Sequence, residues 1–452
     1  MNFDSLAKEF FPDSLLNKSQ DIFLNKSEGI FTEDAGLESH VFGSEARSLQ
    51  LDQEHAIQKF IRPNFSKSDQ YNQSPIGFHP DYSSLLKNGG FKKGYIATLF
   101  MDIVKSTRLN LLYDLEVACE IKNRILKTSI EVVRAFDGYP HRMMGDAMMA
   151  FFGDSETSEE QACINAVNCA CVLKYFVENF VVPQIDSMLN GKDSKLGIRI
   201  GVDYGSDENV IWGAFGYRSA YEITAHGISV DLCSKLQGMA DKNSIMLGRG
   251  ILELIDFPAL FTRVKSKGDT NIYVVKPDIT DANGNHIGYK CRLIADSGYF
   301  DLLPFSPVDK GLIDPGSPLS DVIFVCEYSR DGTNWIEYKS VSYPLDKDLY
   351  LRFSVYVPSR LFEQMRRFEY KFTRVNHGLE AFNNNEDVGA IEYLGDLSYS
   401  DEHCEYNGAW YKVATHNEST SYRGIHEMRF TGSFNGSAIP GKYSNTIGIV
   451  IR

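Results

Sequence analysis

The chain has 452 residues and a formal charge of −14, from 46 Lys and Arg against 60 Asp and Glu, which excludes DNA or RNA as the main partner because a phosphate polymer needs a basic footprint. No uninterrupted apolar run approaches the roughly 18 residues of a membrane span, and residues 1–6 lack the basic-then-apolar order of a secretory signal. The eight cysteines are scattered, Cys169 and Cys171 excepted, so the composition predicts a cytoplasmic protein with reduced thiols, no membrane anchor, no disulfide framework and no zinc site.

Residues 1–92 alternate short amphipathic pieces, 3–11 and 55–61, with polar connectors such as 66–74. They read as a leader that packs on its neighbours and whose function is not legible. Next, Tyr95, Ile96, Ala97, Leu99, Phe100 and Met101 predict a buried strand that ends at Asp102. A polar turn then opens a periodic helix over 109–136, and amides at a helix start can hold phosphate oxygens. Asp146 follows Gly145, which permits a tight turn into a second apolar strand over 148–152. A lone Asp after a strand is ordinarily a helix cap. Two on adjacent strand ends can grip Mg²⁺ or Mn²⁺ and leave coordination places for triphosphate oxygens. Helices are expected over 159–180 and 230–239, with strands between them, in an α+β arrangement. From about Asp278, short runs rich in Val, Ile, Tyr and Phe (322–325, 350–357, 370–375, 446–451) predict an all-β sandwich.

Six motifs occur in the order of one known family: Phe100-Met101-Asp102-Ile103-Val104-Lys105-Ser106-Thr107, Gly145-Asp146-Ala147-Met148-Met149-Ala150, a strand at 198–205, a Gly213-Ala214-Phe215-Gly216 turn, a helix at 227–236, and Val264-Lys265-Ser266-Lys267-Gly268-Asp269. From about Gly94 to Val275 the sequence resembles a class III nucleotidyl cyclase catalytic domain. The resemblance implies that family's α/β sandwich with a ferredoxin-like core over 93–277, followed by a β-sandwich over 278–452 similar to the sensor domain found after such cyclases. It implies two ions, Mn²⁺ or Mg²⁺, held by Asp102, Ile103 and Asp146, and attack of the ribose 3′-oxygen on the α-phosphorus with pyrophosphate leaving. The family takes its metal residues and its base and transition-state residues from opposite subunits. One chain with both sets therefore implies a head-to-tail homodimer with shared active sites.

Departures from the family pattern are informative. Where relatives place a purine-contacting Lys or Glu four residues before the second metal Asp, this chain has Arg142. Arg cannot accept guanine protons, and its fork of donors suits the carbonyls of a pyrimidine. UTP is the leading expectation, because uracil adds an acceptor at O4, with CTP the alternative and an adenylyl cyclase or an inactive binding module behind both. Tyr95 could close part of a purine-sized pocket or be plain core; Arg142 could also be a surface strand residue. With the β-rich tail, these residues resemble the bacterial pyrimidine cyclases of the Pycsar antiphage system, which implies a separate effector reached through cyclic UMP or cyclic CMP. Asp231 and Lys235 stand where relatives have Asn and Arg on one helix face, and otherwise read as a helix ion pair. Glu222 and Thr224 are both candidates for the second base contact. Lys265 and Lys267 have the context of the family's triphosphate-binding lysine, or are solvated surface residues. In the tail, His377, Glu380, His416 and His426 are candidates for a ligand site, without metal-ligand spacing.

Overall fold

The structure is a computed structural model that describes Phe3, Ser5, Leu6 and residues 55–452, except 189–194, 218–219, 277, 296–297, 364–365, 388 and 435–441. Most of the amphipathic piece at 3–11 thus lies outside the described residues. Phe3 and Leu6 are buried, and the Phe3 ring packs against Phe60, Tyr175, Phe180 and Phe305. Helix α1 (Ala56–Asn64) and the turn after it dock on the catalytic domain through Arg62 and Lys67 respectively, which both pair with Asp137, at 2.6 and 2.8 Å.

A seven-stranded sheet forms the centre of the catalytic domain. Its strands are β2 (Ile96–Val104), β3 (Tyr139–Met144), β4 (Ala147–Phe152), β5 (Gly197–Gly205), β8 (Ser244–Gly248), β9 (Thr262–Arg263) and β10 (Cys291–Ile294), in the order β3-β4-β2-β5-β8-β10-β9. Only β5 and β8 run parallel among these pairs. Along β2 the odd positions Ala97, Leu99, Met101 and Ile103 enter the main helical core, whereas Ile96 and Phe100 belong to a second cluster with Met149, Phe151 and Trp212. That two-sided burial follows from the period of two along a strand. A smaller sheet of β1 (Phe91–Lys93), β6 (Ile211–Tyr217) and β7 (Ala220–His226) lies beside it. The Gly213-Phe215 segment is therefore strand, not turn. Gly213 is needed there because a Cβ would meet the Phe91 ring at 2.5 Å.

The helix expected over 109–136 is two helices, α2 (Ser106–Leu112) and α3 (Leu115–Ala135). Tyr113 is extended and Asp114, at ψ 150°, takes the N-cap position of the second. Helix α4 (Glu159–Phe176) starts at Ser158, whose hydroxyl accepts from the Gln161 amide at 3.2 Å. It continues through a π-turn at Val177–Val181 into Val182–Met188. Pro183 explains the wider turn, since it lacks an N–H and its ring would strike the carbonyl one turn back. The run Glu159–Ser187 is long and apolar enough to cross a membrane by length and composition, a feature hidden from a search for uninterrupted apolar runs by Asn165 and Asn168. Its residues from Ala162 to Val172 are buried inside the core. Helix α5 (Ile228–Met239) packs on β5 and β8 with Leu232 and Leu236 beside Met246, and α6 (Arg249–Leu254) packs on the other face with Ile251 in the main core beside Ile245 and Leu247.

Two five-stranded sheets make the C-terminal sandwich around a separate core that includes Phe324, Phe353, Phe372 and Phe430. The strands at Ile323–Ser329, Tyr350–Pro358, Arg367–Val375 and Tyr443–Ile451 coincide with the four expected runs. Residues 291–294, expected in the sandwich, instead pair with β8 in the catalytic sheet. A short apolar strand reads alike in either sheet; only its partner assigns it. Asn168 on α4 ties the two domains, its amide donating to the Val341 carbonyl at 2.8 Å.

Candidate active site

Asp102 lies two residues before the end of β2, and Asp146 lies in the two-residue turn between β3 and β4. Gly145, at φ +69°, takes the conformation that such a turn requires. Register places Asp102 opposite Ala147, and the Asp146 carbonyl accepts from the Ile103 N–H at 3.2 Å, so both carboxylates occupy one corner of the sheet. Lys105, at φ +67°, turns the chain from β2 into α2. This brings Ser106 back so that its hydroxyl donates to Asp146 Oδ2. Asp102 Oδ2 accepts from Arg199 Nη2 on β5 and from Gln237 Nε2 on α5, the latter at 3.2 Å. Each aspartate is anchored through one oxygen. The other oxygens, with the Ile103 backbone, form a hard-oxygen donor set that fits a divalent ion.

Arg142 on β3 is level with Met149 and, through it, with Phe100 on β2. Its guanidinium meets the Glu222 carboxylate of β7 with both Nε, at 3.1 Å, and Nη2. Glu222, Thr224 and His226 alternate along β7; Thr224 is buried. Of the two residues expected for the second base contact, Glu222 is the one brought to Arg142. His226 stacks on Phe215 with ring centres 3.7 Å apart, and burial lowers its pKa against the opposing pull of Asp231. Phe91, Phe215 and Tyr217 leave an exposed aromatic surface on one face of this small sheet, and Tyr221 is exposed on the other.

Tyr95 is a correction. Its hydroxyl donates to the carbonyls of Asp154, at 2.8 Å, and Thr157, at the end of β2 remote from Asp102, so it is fixed in the scaffold and does not enter a base pocket. Asp231 and Lys235 are both exposed on α5 and, among the described residues, form no ion pair with each other, which leaves them free for a ligand. Lys265 is not free: its ammonium holds Asp241 at 3.0 Å and the Met239 carbonyl at the end of α5. Lys267, on the same short hairpin strand, is exposed. In the sandwich the four suggested residues are spent on internal bonds. His377 meets Glu427 at 2.7 Å, His416 meets Glu418 at 2.8 Å, His426 donates to the Tyr422 carbonyl at 2.7 Å, and Glu380 holds Lys347. No group of three metal-capable side chains occurs among the described residues. Sequence reading missed Ser106, Arg199 and Gln237. Arg199, a charge inside the apolar run Ile198-Arg199-Ile200, carried a usable signal; the other two carried none.

Similarity to known proteins extends over both domains. Residues 91–280 match the Adenylate and Guanylate cyclase catalytic domain, and residues 313–440 match the Adenylyl/Guanylyl and SMODS C-terminal sensor domain. A cytidylate cyclase of Escherichia coli is 36% identical over 405 residues, 88% of each chain. One of Staphylococcus aureus is 32% identical over 374 residues, 81% of each chain. Among solved structures, the adenylyl cyclase CyaB from P. aeruginosa is 21% identical with a TM-score of 0.38, covering 46% of this chain and 98% of its own. With two carboxylates at the strand corner, matches to both domain families and relatives that span most of its length, the chain belongs to the class III nucleotidyl cyclases that carry a C-terminal sensor domain.

Proposed function

We propose that this cyclase converts CTP to 3′,5′-cyclic CMP and pyrophosphate. The observation that carries the reading is the Arg142–Glu222 pair. Cytosine presents two adjacent acceptors, O2 and N3, beside the donor amine at N4. A guanidinium fork serves the first two, and a carboxylate accepts from the third. Uracil interposes an N–H between its two acceptors, which one fork cannot bridge in the same way. The preference for UTP drawn from Arg142 alone gives way once Glu222 supplies an acceptor. The names of the relatives, cytidylate cyclases, support the same choice.

Lys235 supplies positive charge to the α-phosphate as negative charge develops there. Asp231, one turn away on the same exposed face, orients the ribose. Lys267 is the cation offered to the β- and γ-phosphates. A divalent ion held by Asp102, Ile103 and Asp146 would lower the pKa of the 3′-hydroxyl and offset phosphate charge when bound. The metal residues and the base and helix residues complete one site across two chains, and the exposed aromatics of the small sheet are the surface available for that homodimer. The reaction then runs in the cytoplasm, and its product is a diffusible signal for a separate effector in antiphage defence. Incubation with ATP, GTP, CTP or UTP plus Mn²⁺, followed by mass spectrometry of the products, tests it: cyclic CMP is expected as the main product, and cyclic UMP, cyclic AMP or cyclic GMP in its place would overturn the reading.

A further inference from the structure

Asp102 is held by an amide from the same helix that carries Asp231 and Lys235. Gln237 Nε2 donates to Asp102 Oδ2 at 3.2 Å, and α5 is pressed against the strands beneath it. A Cβ on Gly201 would meet the Gln237 backbone nitrogen at 2.5 Å, and Cys233 Sγ donates to the Thr98 carbonyl at 3.1 Å. Gln237 lies one half-turn beyond Lys235, on the side of α5 that faces the sheet and not the exposed side. Its amide shares Asp102 Oδ2 with Arg199, and among the described residues nothing else engages this carboxylate. The carboxylate is thus oriented before any ion arrives, with one oxygen directed by two donors and the other left for coordination. Partners of this kind around a ligating carboxylate ordinarily govern metal affinity.

We propose that Gln237 is a positioning residue for the metal carboxylate Asp102, so that one helix serves two active sites: its Asp231 and Lys235 face the nucleotide of one site, and its Gln237 steadies the metal side of the other. The inference rests on the shared-site reading for its second half only. In Gln237→Met, which keeps the side chain's length and removes the donor, Asp102 loses one of its two anchors.

The test has two readouts. Calorimetric titration of the purified protein with Mn²⁺ alone, without nucleotide, should show affinity falling about tenfold in Gln237→Met at an unchanged melting temperature; unaltered affinity would overturn the proposal. The second readout uses mixed dimers of Asp102→Ala and Lys235→Ala chains, whose one intact site takes Asp102 from the Lys235→Ala chain. Gln237→Met placed in that chain should cut the recovered activity by a similar factor. Placed in the Asp102→Ala chain, where its partner is already gone, it should change nothing. Equal losses in both placements would mean that Gln237 merely holds the helix, and would overturn the positioning role. No recovered activity in any mixture would strike the shared-site reading and leave the Mn²⁺ result to decide on Gln237.

Discussion

The Arg142 guanidinium and the Glu222 carboxylate, on neighbouring strands of different sheets, form a two-point ion pair that presents donors and an acceptor side by side. Both groups are partly exposed, so the pair adds little to stability, and under the proposed function its role is to read the base. Glu222→Ala should lower kcat/KM for CTP by on the order of 1–3 kcal/mol and affect UTP less, because only cytosine has the amine. Arg142→Ala should impair both. Steady-state kinetics on the two nucleotides checks this; an equal loss on CTP and UTP in Glu222→Ala would remove Glu222 from base reading.

Replacing Asp102 or Asp146 by Ala should abolish cyclic nucleotide formation and leave the fold intact, since each lies at a strand end with one anchored oxygen and neither belongs to a core cluster. Product analysis beside a thermal melt decides it. Turnover near that of the unmodified chain in Asp146→Ala would dismiss the metal assignment.

Complementation addresses the subunit arrangement. Asp102→Ala and Lys235→Ala chains, each inactive alone, should regain activity on mixing because every mixed dimer holds one intact site. Mixed dimers shown to form by mass, yet silent, would refute the arrangement.

Acid should destabilise the fold. His79, His141 and His426 are buried and their pKa values are pushed down to about 4, chiefly by loss of hydration. Between 6.5 and about 4 the unfolded chain binds protons that the folded chain refuses, so each histidine costs on the order of 3 kcal/mol as pH falls across that window. Asp203 acts in the opposite sense. Burial pushes its pKa up to about 7, so the folded chain takes its proton first and stability from this group falls as pH rises from about 4 to 7. Three histidines outweigh one aspartate, and the melting temperature should drop between pH 6.5 and pH 4.5, less so in His141→Gln. A melting temperature that rises over this interval would contradict the balance.

The domain junction offers a stability test. Asn168 is fully buried, donates to the Val341 carbonyl at 2.8 Å and accepts from the Tyr299 hydroxyl at 2.9 Å. Asn168→Ala strands both partners and opens a cavity, at a cost of about 2–4 kcal/mol. Denaturant unfolding measures it, and a change under about 0.5 kcal/mol would show that the contact is dispensable.

By itself the sequence determined what depends on local pattern: the strand period that places Asp102, the Gly145 turn that places Asp146, the exposed face shared by Asp231 and Lys235, and the β-rich tail. Motif order alone was enough to assign the family. Tertiary structure decided whatever depends on partners distant in the chain. Tyr95, an aromatic at a strand start, could have lined a pocket, but the carbonyls of Asp154 and Thr157 capture its hydroxyl. Lys265 and Lys267 look alike in sequence, yet Asp241 takes only the first. Residues 291–294 joined the catalytic sheet because β8 offered them an open edge. Glu222 became the companion of Arg142 across 80 residues, and Gln237 the anchor of Asp102 across 135. Charge and periodicity act along the chain and are legible there; hydrogen bonds act at about 3 Å in space, and only the fold fixes which groups come that close.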